Sequence, residues 1–182
     1  MTIRPALDGD LPTITEITNH YIAHTAIHFA HAPMTVDELR TTWRADRDTF
    51  PWFVVDGADG APCGYAKAGS FRARAAYRWT TETGIYLAPN VLGRGLGAAL
   101  YRTLLDELQR RGFHAAIGGI ALPNEASVRL HERLGFRHVG TIPEAGWKFE
   151  RWHDLGFWHL RLAGRGAEGE ARGPSGEQQP NG

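Results

Sequence analysis

The sequence is poor in cysteine, carries no net charge and has no long apolar run. Its single cysteine, Cys63, has no partner for an internal disulfide, which excludes the disulfide-stapled secreted scaffolds. A nucleophilic thiol there is conceivable chemistry, but a small half-buried strand residue accounts for Cys63 more simply. Lys plus Arg and Asp plus Glu both number 20, so the formal net charge is zero. A nucleic-acid partner is not expected, because such proteins carry a basic excess or stripe. No stretch approaches the roughly 20 apolar residues that cross a bilayer, and no basic-then-apolar leader follows Met1. The expectation is a cytoplasmic protein with no membrane partner. At 182 residues one domain is the natural size, and the chain can bury a full core. Large apolar side chains disappear after Leu162, so the domain is expected to span 1–162, with 163–182 a disordered glycine- and charge-rich tail.

What the chain does have is a glycine-rich turn at its centre. Ile85, Tyr86 and Leu87 read as the end of a strand; Gly93, Gly95 and Gly97 then precede a helical apolar face of Ala98, Leu100, Tyr101, Leu104, Leu105 and Leu108. A helix start carries amides without intrahelical partners and partial positive charge, and bare backbone lets a phosphate approach them. Gly93-x-Gly95-x-x-Ala98 matches the dinucleotide fingerprint, yet the ribose-holding acid expected about 20 residues on is absent from 115–120. No Lys-Ser/Thr follows the glycines, so a triphosphate loop is expected even less than a dinucleotide site. A connector without a ligand is the plain alternative.

Around this turn the chain reads as alternating elements. Leu11, Ile14, Ile17 and Tyr21 recur at helical spacing, and Thr35 with Asp37 and Glu38 opens a second helix reaching about Arg47. Strands are expected over 51–55, 63–71, 79–87, 114–122 and 136–142, with an Asp-Gly hairpin signal at 56–57. A further helix runs from about 125 to Leu134 and stops at Gly135. Residues 146–162 read as two strand segments around Trp152, His153 and Asp154. In the 79–87 strand, alternation puts Glu82 and Tyr86 on one face and Thr81, Thr83, Ile85 and Leu87 on the other. His24 and His28 have the spacing of two metal ligands, but nothing nearby completes a set; no metal is expected, and a pocket-lining loop suits 23–33 better.

Several runs in one order resemble a known family. They are Asn19-His20-Tyr21-Ile22, Tyr77-x-Trp79-Thr80-x-Glu82, Gly93-x-Gly95-Leu96-Gly97, the segment from Leu122-Pro123-Asn124 to Leu134-Gly135-Phe136, Gly146-x-Lys148, and Trp152-His153-Asp154-x-Gly156-Phe157-Trp158. The chain resembles the GCN5-related N-acetyltransferases (GNAT), in the phosphinothricin and methionine sulfoximine branch, from Ile3 to about Leu162. The resemblance implies an α/β fold, a mixed, mostly antiparallel sheet of about six to seven strands flanked by about four helices. It implies acetyl-CoA as cosubstrate, its pyrophosphate on the amides of Gly93, Arg94, Gly95, Leu96, Gly97 and Ala98 and its pantetheine arm along Ile85, Tyr86 and Leu87. Asn124 matches a coenzyme-A-contacting asparagine, and equally reads as a helix cap. One departure stands out: the family turn usually begins with Gln or Arg where this chain has Leu92.

The chemistry so implied is attack of an amine on a thioester by direct transfer in a ternary complex, since no acyl-accepting nucleophile stands out. An ammonium must first lose a proton, and Glu82 matches the family's base; a lone strand glutamate is otherwise a solvated side chain. His131 occupies the slot of the proton donor to the departing thiolate, or is a buried histidine satisfied by a carbonyl. Arg72 and Arg74 would clamp the α-carboxylate of an amino-acid substrate from one face of an extended segment, with Tyr77 walling the pocket and Lys148 reaching it. The expected partner is a small amine: phosphinothricin, methionine sulfoximine or methionine sulfone. Another amine (a polyamine, an aminoglycoside or a peptide N-terminus) and a non-catalytic acyl-CoA-binding module are the rivals. The resemblance also implies a homodimer.

Overall fold

Val54 and Val55 are sequence neighbours, and both are fully buried. That requires a strand with apolar layers on both faces. The computed structural model describes residues 1–93 and 95–162; the expected tail, 163–182, and Arg94 lie outside the described residues. In chain order the elements are β1 (Ile3–Pro5), α1 (Leu11–His24), α2 (Val36–Asp46), β2 (Trp52–Asp56), β3 (Pro62–Ser70), β4 (Thr80–Leu87), α3 (Leu96–Arg110), β5 (Ala115–Leu122), α4 (Glu125–Arg133), β6 (Arg137–Lys148) and β7 (Arg151–Arg161). The strands form one sheet in the order β1-β2-β3-β4-β5-β7-β6. Every neighbouring pair is antiparallel except the central β4–β5, which is parallel. This is the mixed, mostly antiparallel α/β sheet expected.

Two cores cover the two faces. One gathers Leu11, Ile14, Ile17, Leu39 and Trp43 of α1 and α2 over Trp52, Val54 and Tyr65. The other gathers Leu100, Tyr101, Leu104, Leu105 and Leu108 of α3 over Val55, Ala66, Ala68 and Ala116. Local chemistry sets the helix limits. Thr35 and Glu38 form a reciprocal capping box at the start of α2, with Thr35 N donating to Glu38 Oε2 at 2.7 Å. After α3 and α4, Gly112 and Gly135 take left-handed φ of 85° and 94°.

Two expectations fail here. The last hairpin turns at Phe149 and Glu150, not around Trp152–Asp154, and β6 runs on past Ile142 to Lys148. Both turn residues are non-glycine with left-handed φ of 52° and 58°, so the usual Asn-Gly signal is missing. Pro143 and Gly146 read as strand ends, but a register shift between Ile142 and Gly146 absorbs them, and Asp154 Oδ1 accepts from Glu144 N at 2.8 Å. The segment carrying Arg72 and Arg74 is also not extended: it bends into a short 3-10 turn at Ala75–Tyr77, because no strand partner continues beyond Ser70.

Candidate active site

The parallel pair β4–β5 is joined only from Thr80–Ala115 to Thr83–Gly118. Beyond that the strands part, although β4 continues to Leu87 and β5 to Leu122. Backbone groups of 84–87 therefore face a gap instead of a neighbouring strand, and such groups need a partner. A small cavity of about 40 Å³ lies in the gap, lined among others by Ile85, Tyr86, Gly119, Asn124 and His131. Tyr21 of α1 reaches the end of β4, its hydroxyl donating to Leu87 O at 2.7 Å.

On the α1/α2 face, register aligns Tyr65, Lys67 and Gly69 of β3 with Tyr86, Gly84 and Glu82 of β4. Trp52 and Tyr65 stack at 6.1 Å, and Tyr65 and Tyr86 at 5.2 Å, which makes an aromatic floor. Glu82 stands at the edge of this floor, beside bare backbone: a Cβ on Gly119 would meet Glu82 Oε1 at 3.3 Å. Although Glu82 opens to the surface, the surrounding walls desolvate its carboxyl and raise its pKa, while Arg72 and Lys67 pull it back down. Burial holds the Lys67 ammonium below the usual lysine range, with Glu82 opposing. Tyr86 is pushed up to about 12 by burial and the Glu82 charge, so its phenol stays protonated.

On the opposite face His131 is buried, at 4% exposure. Its Nδ1 lies 2.8 Å from Ser127 O, a group that can only accept, so Nδ1 carries the proton. In the neutral ring Nε2 then accepts from the Tyr101 hydroxyl at 3.0 Å, and that hydroxyl lies 2.7 Å from Thr83 Oγ1. Burial lowers the His131 pKa, so the ring is neutral at pH 7. Gly118 makes room for it, since a Cβ there would meet His131 Nε2 at 2.5 Å. Glu82 and His131 thus lie on opposite faces of the sheet, and the gap between β4 and β5 is where the two sides meet.

At the glycine turn, Gly93 and Gly95 both have φ of 77°, and a Cβ at either would meet nothing within 4 Å. The backbone conformation calls for glycine there, and the space beside it is open. Gly95 begins α3 with no side-chain cap, so the first amides of α3 are left for an anion. Gly97 serves packing instead: its Cβ would press Leu87 at 3.4 Å and Leu130 at 3.6 Å. Leu96 and Ala98 fall in the first turn of α3; Arg94 lies outside the described residues. Leu92 points outward, 55% exposed. Asn124 caps α4, its Oδ1 accepting from Ser127 N at 3.1 Å, and also lines a neighbouring groove of about 470 Å³.

The substrate candidates divide. Arg72 lies over the Phe71 ring at 4.6 Å and is near enough for its charge to act on Glu82. Arg74 is exposed, and its guanidinium has no hydrogen bond or ion pair among the described residues. Tyr77 is 40% exposed and packs edge-on against Phe71. Lys148 does not reach the pocket: its buried ammonium donates to Ile22 O and His28 O, both at 2.6 Å. With Asn19, which bonds both Met34 O and Met34 N at 2.9 Å, it pins the loop after α1. Gly146 admits Phe29 of that loop, whose ring a Cβ would meet at 2.7 Å. Ile27 of the loop lines the gap and His28 lies against Tyr86. Among the described residues no group of three or more His, Cys, Asp and Glu is placed to hold a metal, and no helix is long and apolar enough to cross a membrane.

A mixed sheet that parts between its central parallel strands, beside an uncapped glycine-led helix, defines an acyltransferase class of domain. The chain belongs to the acetyltransferase (GNAT) family, which matches residues 14–136. It is 40% identical over 156 residues to the phosphinothricin N-acetyltransferase of Streptomyces viridochromogenes, covering 86% of this chain and 85% of that protein. It is likewise 40% identical over 163 residues to the L-methionine sulfoximine/L-methionine sulfone acetyltransferase of Salmonella typhimurium, covering 89% and 95%. In fold it is similar to the GNAT superfamily phosphinothricin acetyltransferase of Sinorhizobium meliloti solved with acetyl-CoA, with a TM-score of 0.87 at 33% identity, covering 89% of this chain and 88% of that one. The resemblance carried by the motifs is borne out. Lys67, Gly118 and Gly119 were missed by sequence reasoning: their roles depend on cross-strand register, and no local pattern marks them.

Proposed function

We propose that this chain transfers acetyl from acetyl-CoA to the α-amine of a small amino-acid analogue such as phosphinothricin, methionine sulfoximine or methionine sulfone. The observation that carries this is Glu82, desolvated beside the β4–β5 gap with Lys67 and Arg72 as its charged neighbours. Cationic surroundings suit an amine that brings its own acid groups and repel a polyamine. Glu82 takes a proton from the ammonium; the amine nitrogen then attacks the thioester carbonyl carbon, and the C–S bond breaks. The coenzyme's pyrophosphate is assigned to the free amides of α3, its pantetheine arm to Ile85, Tyr86 and Leu87 across the gap, and its flank to Asn124. An amide near Tyr86 or Leu87 stabilises the oxyanion. His131 and Tyr86 are the titratable groups lining the gap. Of the two, His131 is assigned to return a proton to the thiolate in its imidazolium form, which the neutral ring reaches by taking a proton from solvent at Nε2; Tyr86, pushed up to about 12, keeps its phenolic proton. Arg72 and Tyr77 take the α-carboxylate side, with Arg74 as a second arginine on the same loop.

The domain is assigned to 1–162. A homodimer is proposed through the exposed Trp147, Phe149 and Trp152 of the last hairpin, each 48–55% exposed; sedimentation of the purified chain tests it. The function is tested by thiol release from acetyl-CoA against a panel of amines. Acetylation of the amino-acid analogues is expected, with Glu82→Gln lowering kcat by roughly 10²- to 10⁴-fold. Acetyl-CoA binding without thiol release on any amine would reduce the chain to a binding module.

A further inference from the structure

The chain has two lysines. Lys148 is fully spent on backbone carbonyls. Lys67 is not: among the described residues its ammonium makes no hydrogen bond or ion pair, and it lies 5.2 Å over the Trp52 ring. The side chain is only partly exposed, and removing an ammonium from water without a partner is costly. Other half-buried cations of the chain are paired, Arg4 with Asp10 and Asp56, and Arg111 with Glu107. Among the described residues Lys67 is the exception.

Its surroundings explain what the vacancy in its bonding serves. Lys67 stands opposite Gly84 and diagonal to Glu82, which itself faces Gly69. Gly119 of β5 lies on the other side of Glu82. Three positions without side chains therefore surround Glu82 and Lys67, and a Cβ on Gly69 would meet nothing within 4 Å. This leaves a shallow depression on the sheet, acidic at one point and cationic at another. From neighbouring elements, Arg72 beyond β3 acts on Glu82, and the Lys67 charge in turn lowers the pKa of His28 in the loop after α1, where burial is the larger cause. A compact ammonium with three rotatable donors suits the tetrahedral oxygens of a phosphinate, phosphonate or sulfonate, whereas the planar fork of Arg72 suits a carboxylate.

We propose that Lys67 is a specificity-determining residue that binds an anionic tetrahedral group on the substrate's side chain, so that the enzyme prefers acid-bearing analogues over neutral ones. This rests on the amino-acid acetyltransferase function proposed above. An amine held at Glu82, an α-carboxylate at Arg72 and a side-chain oxyanion at Lys67 would fix the substrate at three points, and the third discriminates phosphinothricin from methionine sulfone.

The test compares kcat/KM for those two substrates in the unmodified protein and in Lys67→Met, Lys67→Arg and Arg72→Ala. Lys67→Met is expected to reduce the preference for phosphinothricin over the sulfone by roughly ten- to hundredfold, mainly through KM, the worth of one charge-assisted hydrogen bond. Lys67→Arg keeps the charge without the ammonium's geometry and is expected to retain part of the preference, which separates loss of the charge from a folding defect. Arg72→Ala lowers both substrates together. Equal losses on both substrates in Lys67→Met would overturn the inference, because Lys67 would then act only through Glu82. If the unmodified protein acetylates neither analogue, the proposed function fails and takes the inference with it.

Discussion

Gly118 and Gly119 are adjacent, yet replacing each with alanine should have opposite consequences. A Cβ on Gly118 would sit 2.5 Å from His131 Nε2 and 2.6 Å from its Cδ2, so the ring must retreat about 0.9 Å to reach an ordinary 3.4 Å contact. The ring has nowhere easy to go: it is bonded to Ser127 O and the Tyr101 hydroxyl and packs edge-on against Phe136 at 5.0 Å. Overpacking costs about 1–3 kcal/mol, and one lost hydrogen bond about 0.5–1.5 kcal/mol. Replacing a strand glycine returns about 0.5–1 kcal/mol, so Gly118→Ala should lose roughly 0.5–4 kcal/mol overall. On Gly119 the new Cβ meets Glu82 Oε1 at 3.3 Å, Leu155 at 3.7 Å and Phe157 at 3.9 Å, all side-chain atoms with room to yield. Gly119→Ala should therefore leave stability within about 0.5 kcal/mol, the gain in strand propensity offsetting the contact. It should instead displace and further desolvate the Glu82 carboxylate. That lowers kcat several-fold, with roughly 100-fold as the ceiling for a 1 Å misplacement, and moves the acid limb of the pH profile upward. Urea unfolding and steady-state kinetics on both variants decide the matter. Equal stability losses at the two positions, or full activity in Gly119→Ala, would refute the placement of Glu82 and His131 on opposite faces.

Lys148→Met leaves the buried carbonyls of Ile22 and His28 without their donor; a loss of about 3 kcal/mol or more is expected in chemical denaturation, together with a raised KM for the amine as the loop after α1 loosens. The pH dependence of stability follows from two shifts of opposite sign. His131 has a folded pKa below its unfolded value, so its contribution is complete above about 6.5 and is lost as pH falls below that, where the unfolded ring takes up a proton first. Urea midpoints between pH 5 and 8 should therefore fall on the acid side, and less so in His131→Gln. Glu82 has a raised folded pKa, so the ionised group weighs against the fold as pH rises past about 4.5. Glu82→Gln should gain a little stability at pH 7 while losing activity, the gain being small because the carboxylate is exposed.

Much of this architecture was legible because it is written locally. The capping box at Thr35 and Glu38, the stop glycines at 112 and 135 and the apolar stripe of α3 each specify an element within a few residues. The glycine turn was legible too, but for a mixture of reasons: Gly93 and Gly95 are needed for backbone conformation, and Gly97 for the approach of α3 to Leu87 and Leu130. The last hairpin was not legible, because its turn uses left-handed Phe149 and Glu150 and its strand contains a proline. Nor was the arginine segment, whose alternation held only for an extended chain that the 3-10 turn at Ala75–Tyr77 replaces. Lys148 was placed near the pocket when it is instead the strut beneath it. For Lys148 the deciding contacts, to Ile22 and His28, join residues far apart in sequence; the hairpin turn and the 3-10 turn are local, but no glycine or asparagine marks them.

The division of the site by the sheet constrains the chemistry beyond naming its residues. Up to Thr83 and Gly118 the central strands are paired, so no proton or ligand passes between faces there. On the proposed assignment the amine is deprotonated on the α1/α2 face, where Glu82, Lys67 and Arg72 set the field. The sulfur departs toward the α3/α4 side, where His131 is held by Tyr101. The thioester carbonyl must then lie in the gap itself, beside Ile85 and Tyr86. Base and acid cannot exchange roles across a closed sheet, so their two pKa values should respond to separate sets of mutations. Lys67 and Gly119 variants should move the acid limb set by Glu82 and leave the His131 step alone; Tyr101→Phe, which removes the hydroxyl that Nε2 accepts from, should do the reverse. A Tyr101→Phe variant whose pH profile shifted together with that of Gly119→Ala would mean that one hydrogen-bonded network spans the gap.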